Sequence, residues 1–290
     1  MSKLSIQYLI RVLPQFIVPH HWFSKQMHKA TRIKNRRIKN FVIKNFVKQY
    51  NVDLTTAKEE NALTFSCFND FFTRSIKPES RPIDTTNQSI VSPVDGVISQ
   101  FGNINKNTLI QAKGRNYKLA DLLGTNKWVN DFTDGLYMTI YLSPRDYHRI
   151  HCPAYSELVE TTYIPGRLFA VNPITVSTVS NIFSRNERVV NIFKTSFGQM
   201  AVISVGAFFV GSIETKLLGE ITPPHKSNIK TWQHGATPEY YKNYKKGDEI
   251  GRFNMGSTVI LLFEKGTMNW NKQLKPGNFV KMGELLGFEL

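Results

Sequence analysis

Acidic side chains are absent from the first 52 residues, which carry eleven Lys and Arg, at positions 3, 11, 25, 29, 32, 34, 36, 37, 39, 44 and 48. The whole chain has 37 basic and 22 acidic side chains, so 26 and 22 are left for the rest, and the net charge of +15 belongs chiefly to an N-terminal arm. Charge placed this way points to an anionic surface as partner, a membrane or a nucleic acid. Cysteine is scarce too. Cys67 and Cys152 are the only two, far apart and without Cys-x-x-Cys spacing, which excludes a disulfide framework and a cysteine zinc site and fits a reducing compartment. Long apolar runs are missing. The stretch from Ile6 to Val18 is broken by Arg11, Pro14 and Gln15 and lacks a small-residue cleavage site, so it reads neither as a membrane span nor as a cleavable signal peptide. There is no internal repeat and no low-complexity segment. At 290 residues and 41% hydrophobic content, the chain is globular and long enough to bury a sizeable core.

In the arm, Ile6, Leu9, Ile10 and Leu13 follow helical spacing and Pro14 stops the helix. The spacing predicts a second helix over Lys25 to Tyr50, with Ile38, Phe41, Val42 and Phe46 on one face. Between the two lies the aromatic and apolar patch Phe16 to Phe23. Basic residues interleaved with Trp and Phe are the pattern of a helix lying in a lipid interface. A helical hairpin packed on the core with a solvated basic back is the plainer alternative. No nucleic-acid fold signature accompanies the charge, which sets nucleic acid behind the membrane as partner.

A short helix is expected at Cys67 to Phe72. From Ile90 onward the texture changes to short strands separated by turn residues: Ile90–Gln100, Leu136–Leu142, Glu157–Ile164, Arg188–Thr195, Met200–Val210, Ile229–Gln233, Thr258–Phe263 and Glu284–Phe288. The expected fold class is α+β, a β-rich sandwich or barrel-like core (53–290) preceded by a helical, membrane-binding arm (1–52). On that division, removing 1–52 leaves the chemistry of the core intact.

The residues that can carry chemistry lie in three stretches. Phe253 to Ile260 holds Gly256, where another group can approach the backbone closely, and the hydroxyl of Ser257. Ser92-Pro93-Val94-Asp95-Gly96-Val97-Ile98-Ser99 supplies a carboxylate, and Tyr141 to Pro153 supplies His148 and His151. Carboxylate, imidazole and hydroxyl are the inventory for an activated serine. A turn before a strand is the plain reading of Gly256-Ser257, and structural charges in a tight turn that of Arg145, Asp146 and Arg149. The two histidines lack a third ligand and an H-E-x-x-H pattern, so no metal is expected. Cys152 is read as a packing residue, and Glu214 as a candidate for pairing in the core.

These stretches resemble the bacterial phosphatidylserine decarboxylase proenzyme family, the pyruvoyl-dependent prokaryotic type, essentially end to end. Further stretches carry the resemblance: Gln111-Ala112-Lys113-Gly114, Gly166 to Asn172, Arg185-Asn186-Glu187-Arg188, Val210 to Thr215 and Gly256-Ser257-Thr258. The tetrapeptide Met255-Gly256-Ser257-Thr258 has Met where Leu often precedes the Gly. The resemblance implies a charge relay of Asp95, His151 and Ser257 that cuts the proenzyme between Gly256 and Ser257. The products are a large chain, 1–256, and a small chain, 257–290, which stay associated. Ser257 becomes a covalent pyruvoyl group, the self-made cofactor, which binds the substrate amine as a Schiff base. His148 is the implied acid of the decarboxylation. The substrate implied is phosphatidylserine, the product phosphatidylethanolamine, and the place the cytoplasmic face of the cell membrane, against anionic phospholipid. Two other readings stay open: a serine hydrolase using Asp95, His151 and Ser257 on an external ester, and a basic membrane- or nucleic-acid-binding module with an inert core. Whether the protein forms a homo-oligomer is open as well.

Overall fold

The computed structural model describes residues 12–112, 114–208, 212–222, 228–235, 243–255 and 258–290. Among them the main element is an antiparallel nine-stranded sheet. Its spatial order is Lys230–Gln233, Ser156–Ile164, Arg188–Thr195, Gly198–Val205, Thr258–Phe263, Leu136–Tyr141, Gly96–Asn103 and Phe279–Val280, with Asn243–Tyr244 also paired to Ser156–Ile164.

Thr258–Phe263 lies inside this sheet, in register with Tyr141–Leu136 on one side and Val205–Met200 on the other. Val259 to Phe263 are all fully buried, and the period of two explains how. Ile260 and Leu262 enter one cluster with Leu122, Phe132, Phe169 and Phe183. Val259, Leu261 and Phe263 enter another with Ile90, Ile150, Phe193 and Phe253. Burying a side chain of this kind contributes roughly 1.5–3 kcal/mol, so the strand that follows Ser257 is the seam between both halves of the core.

The class is α+β with a β-rich core, as the strand texture predicts. The long sheet remains open: its outer strands, Lys230–Gln233 and Phe279–Val280, do not pair with each other among the described residues. Arg188–Thr195 and Thr258–Phe263 fall where the pattern puts them. Ile90–Gln100 divides into Ser89–Val91 and Gly96–Asn103, because Ser92 to Asp95 form a turn in which Ser92 Oγ donates to Val94 O at 2.7 Å. Gly96 is then required by close approach: a Cβ there would come within 2.5 Å of Tyr141 O and 2.8 Å of Ile140 Cγ2. A smaller sheet runs in the order Gly219–Glu220, Ile213–Thr215, Glu249–Phe253, Arg149–His151.

The arm departs from expectation. The helix expected over Lys25 to Tyr50 is two, His20–Ala30 and Arg36–Tyr50. Asn35 starts the second: its side-chain oxygen accepts from Arg37 N–H (3.1 Å) and Ile38 N–H (3.3 Å), satisfying donors that a continuous helix would have used. The expected Ile6–Leu13 helix lies mostly outside the described residues. The expected apolar face also divides. Phe46 joins Ile43, Val47 and Tyr50 against Phe68, Phe71 and Phe72 of the short Phe68–Phe72 helix. Ile38, Phe41 and Val42 are instead 49%, 70% and 40% exposed.

Candidate active site

Asp95 closes the Ser92–Asp95 turn and is buried. Its carboxylate meets Arg81, whose Nε donates to Oδ1 at 2.9 Å and to Oδ2 at 3.1 Å, with Nη2 making a further contact to Oδ2. Met282 N–H donates to Oδ1 at 2.8 Å. The pairing with Asp95 holds the Arg81 guanidinium above its ordinary value.

His151 ends the strand Arg149–His151, and its N–H donates to Pro93 O at 2.9 Å, which fastens it to the Asp95 turn. Its Nδ1 lies 2.7 Å from Gly247 O and its Nε2 lies 2.9 Å from the Tyr147 hydroxyl. A carbonyl can only accept, so Nδ1 carries the proton and Nε2 presents its lone pair to the Tyr147 O–H. Burial, first of all, lowers the His151 pKa; the hydrogen bond to Gly247 O, the Glu249 charge and, least, the Asp95 charge work against that. The tautomer is thus fixed by a backbone carbonyl, while the Asp95 carboxylate spends its hydrogen bonds on Arg81 and Met282.

His148, three residues earlier and just before that strand, is fully buried among other neighbours. Its ring stacks on Phe72, centroids 4.1 Å apart and planes at 17°. Nε2 lies 3.3 Å from Pro144 O, and Nδ1 is buried without a partner. By the same carbonyl argument Nδ1 holds a bare lone pair. Burial, and then the Arg74 charge, push the His148 pKa down to about 3. The turn that presents it is capped by Asp146, which accepts from Ser143 N–H at 2.7 Å and is pushed up by burial to about 6.

Gly256 and Ser257 lie outside the described residues, but both flanks are placed. On the near side, Phe253 N–H donates to His148 O at 3.0 Å, and Met255 packs against the arm cluster and the core. On the far side, Thr258 pairs with Tyr141 and Val205. Two mainly apolar cavities meet here and share Tyr141 and Val171. One, of 220 Å³, is lined by Phe46, Tyr50, Phe72, Pro144 and Met255 among others, and the other, of 260 Å³, by Thr139, Pro173, Phe183 and Thr258. A third, polar cavity of 270 Å³ is lined by Arg74, Arg81, Asp95, Asp146 and Tyr147. The three stretches singled out from the sequence therefore converge.

Sequence reasoning missed Arg81, Tyr147 and Phe72. Arg81 reads as part of a proline-rich connection, and nothing local ties it to a carboxylate fourteen residues on. Among the plainer readings, Cys152 is a packing residue whose thiol burial pushes up to about 12. Glu214 is paired, its two oxygens taking Arg252 Nε at 2.9 Å and Nη2 at 2.6 Å.

A family model described as phosphatidylserine decarboxylase matches residues 68–288, and one described as PSD matches residues 10–51. Curated relatives named phosphatidylserine decarboxylase proenzyme match nearly the full length. That of Methylococcus capsulatus is 45% identical over 274 residues, 94% of this chain and 94% of its own. That of Acinetobacter baylyi is 44% identical over 286 residues, covering 99% and 97%. That of Idiomarina loihiensis is 41% identical over 278 residues, covering 96% and 95%.

Proposed function

The chain belongs to the phosphatidylserine decarboxylase family, and from that premise we propose that it converts phosphatidylserine to phosphatidylethanolamine and CO₂ with a pyruvoyl group made from its own Ser257. The observation that supports self-cutting most directly is the tautomer of His151. With Nδ1–H given to Gly247 O, Nε2 is a neutral base at physiological pH. It can exchange the Tyr147 hydroxyl for that of Ser257 and take its proton, and the buried charge of Asp95 favours the imidazolium so formed.

The Ser257 oxygen then bonds to the Gly256 carbonyl carbon as the Gly256–Ser257 amide bond breaks, leaving an ester and a free amine. Loss of the Ser257 Cα proton with rupture of the Cβ–O bond frees the Gly256 carboxylate and leaves dehydroalanine. Water hydrolyses this to the pyruvoyl group and ammonia.

The surroundings fit such a group. Apolar cavities flank the position, and the partnerless Nδ1 of His148 is a buried proton acceptor with no other task. When formed, the pyruvoyl carbonyl takes up the electron pair left as CO₂ departs. His148, held by Phe72, would pass a proton taken from water through Nδ1 to the carbon that CO₂ leaves. The small chain 257–290 stays in place because its first strand is interior to the long sheet.

Intact-mass analysis of purified protein tests this. Two chains are expected, 1–256 and 257–290, the small one without a free N-terminal amine. A single full-length chain would leave an external-ester serine hydrolase as the better reading, and a small chain starting with serine would overturn the pyruvoyl step.

The arm supplies the place of action. No helix among the described residues is long and apolar enough to cross a membrane. Ile17, Trp22 and Phe41 are 85%, 56% and 70% exposed, on an arm that also exposes Arg36, Arg37, Lys44 and Lys48. Apolar anchors ringed by cations suit the surface of an anionic bilayer at the cytoplasmic face. Each such cation contributes about 1 kcal/mol near the membrane, within a Debye length of roughly 10 Å at 0.1 M salt. Replacing Lys34, Arg36, Arg37 and Lys44 by Gln should weaken binding to phosphatidylglycerol vesicles by up to about 10³-fold at low salt. A variant that sediments with vesicles as the wild type does would remove the interfacial role.

A further inference from the structure

The arm is joined to the backbone just before Gly256 by polar contacts that the cutting chemistry does not use. Asn254, two residues upstream of Gly256, is fully buried. Its N–H donates to Ser212 O at 3.0 Å, its Oδ1 accepts from Asn69 Nδ2 at 3.1 Å, and its Nδ2 donates to Ser212 Oγ and, at 3.2 Å, to Glu220 Oε1. The same Glu220 oxygen accepts from Ser212 Oγ at 2.5 Å, from Arg32 Nη2 at 2.6 Å and from His28 Nε2 at 3.0 Å. His28 belongs to the helix His20–Ala30, and Arg32 follows its end. The backbone carbonyl of Thr31, the residue before Arg32, accepts from Asn69 N–H at 2.9 Å. The end of the first arm helix thus holds the carboxylate and the amide that hold Asn254.

Resting on the reading that the chain cuts itself, we infer that Glu220 and Asn254 are positioning residues for that cut, and that the first arm helix completes their site. The attack of Ser257 on its own preceding carbonyl needs a near-attack geometry, and a misplacement of about 1 Å can cost on the order of 10²-fold. Thr258 is fixed by the central sheet and Asn254 by this network, so Met255, Gly256 and Ser257 are the only residues between two anchors. Each residue freed adds two soft dihedrals to that short bridge. Charge-assisted donors on Glu220 matter because hydrogen bonds to an ionised acceptor are about twice as strong as neutral ones. A detachable arm does not fit these contacts: removing residues 1–52 takes two donors from Glu220.

The test is the rate at which proenzyme made by cell-free synthesis converts to two chains during a chase. Asn254→Ala and Glu220→Ala should slow conversion by about 10- to 100-fold. Glu220→Gln, which keeps a neutral acceptor of the same shape, should lie between them and the wild type. Arg32→Ala should slow conversion in the wild-type background and add nothing in Glu220→Ala, as expected of groups acting through one contact. Decarboxylation per mole of cut chain should change by less than about twofold for Glu220→Gln and Arg32→Ala, whereas a general loss of structure would lower both readouts together. Should Asn254→Ala fail to fold, the shape-preserving Glu220→Gln and the surface change Arg32→Ala decide the matter. Cutting at the wild-type rate in those two variants overturns the inference, as does full additivity of Arg32→Ala with Glu220→Ala. A wild-type chain that never cuts would instead overturn the function proposed above.

Discussion

His148→Ala is expected to mature normally and then turn over on the order of 10²–10⁴-fold more slowly, the usual worth of a positioned general acid or base, while His151→Ala stays mostly uncut. The two histidines are three residues apart, yet their surroundings differ, and the roles proposed above follow that difference. His151 has its proton pinned on Nδ1 by Gly247 O and a lone pair on Nε2 facing Tyr147, next to the Asp95 turn. Without it Ser257 has no base. His148 is stacked on Phe72, which lines an apolar cavity, and on the role proposed above its unpaired Nδ1 serves a proton that is needed only once CO₂ has left. Electrophoresis for the cut, and decarboxylation per mole of cut chain, are measured on the same preparations. If His148→Ala stays whole while His151→Ala matures, the assignments are exchanged. If neither matures, the two act as one unit in cutting.

Asp95→Ala should lower stability by about 3–5 kcal/mol, because breaking a buried ion pair leaves the other charge uncompensated. The Arg81 side chain is only 11% exposed, and Met282 N–H loses its acceptor as well. Urea unfolding of the variant is compared with Ser257→Ala, so that both chains are uncut. The pair also separates two roles of Asp95. In the double variant Asp95→Ala, Arg81→Met the stranded charge is gone and most of the stability should return. Cutting should not return in full, since His151 keeps the Glu249 charge but still lacks that of Asp95, the other carboxylate that favours its protonated form. A double variant that cuts like the wild type would make Asp95 structural alone. A loss under about 1 kcal/mol for Asp95→Ala would mean that the pair is open to solvent.

Much of the core was legible because its signal is local. Thr258–Phe263 is an unbroken run of β-branched and apolar residues, as a strand buried on both faces must be, and Arg188–Thr195 is nearly one, interrupted by Asn191 and Lys194. The convergence of the stretches around Asp95, His148, His151 and Ser257 was legible through resemblance, not through spacing. The break between the arm helices was harder to see, since neither glycine nor proline marks it and the deciding group is the Asn35 side chain. Least legible were the partners. Arg81 reaches Asp95, Tyr147 reaches His151 and Phe72 covers His148 only after separate elements have docked, and no pattern in any one stretch records such a meeting.

The strand that fills the middle of the long sheet leaves the ribosome after both of its neighbours. Until residues 258–263 emerge, Leu136–Tyr141 and Gly198–Val205 wait with their facing edges unpaired, since each takes Thr258–Phe263 as a neighbour. At roughly 5–20 residues per second that wait lasts seconds, long enough for open strand edges to find the wrong partner. A nascent chain of this topology ought to depend on a holding chaperone more than its stability when finished would suggest. The same order of synthesis is a safeguard: Ser257 is made only together with the strand that fills the gap, so no cut can come before both neighbouring strands exist.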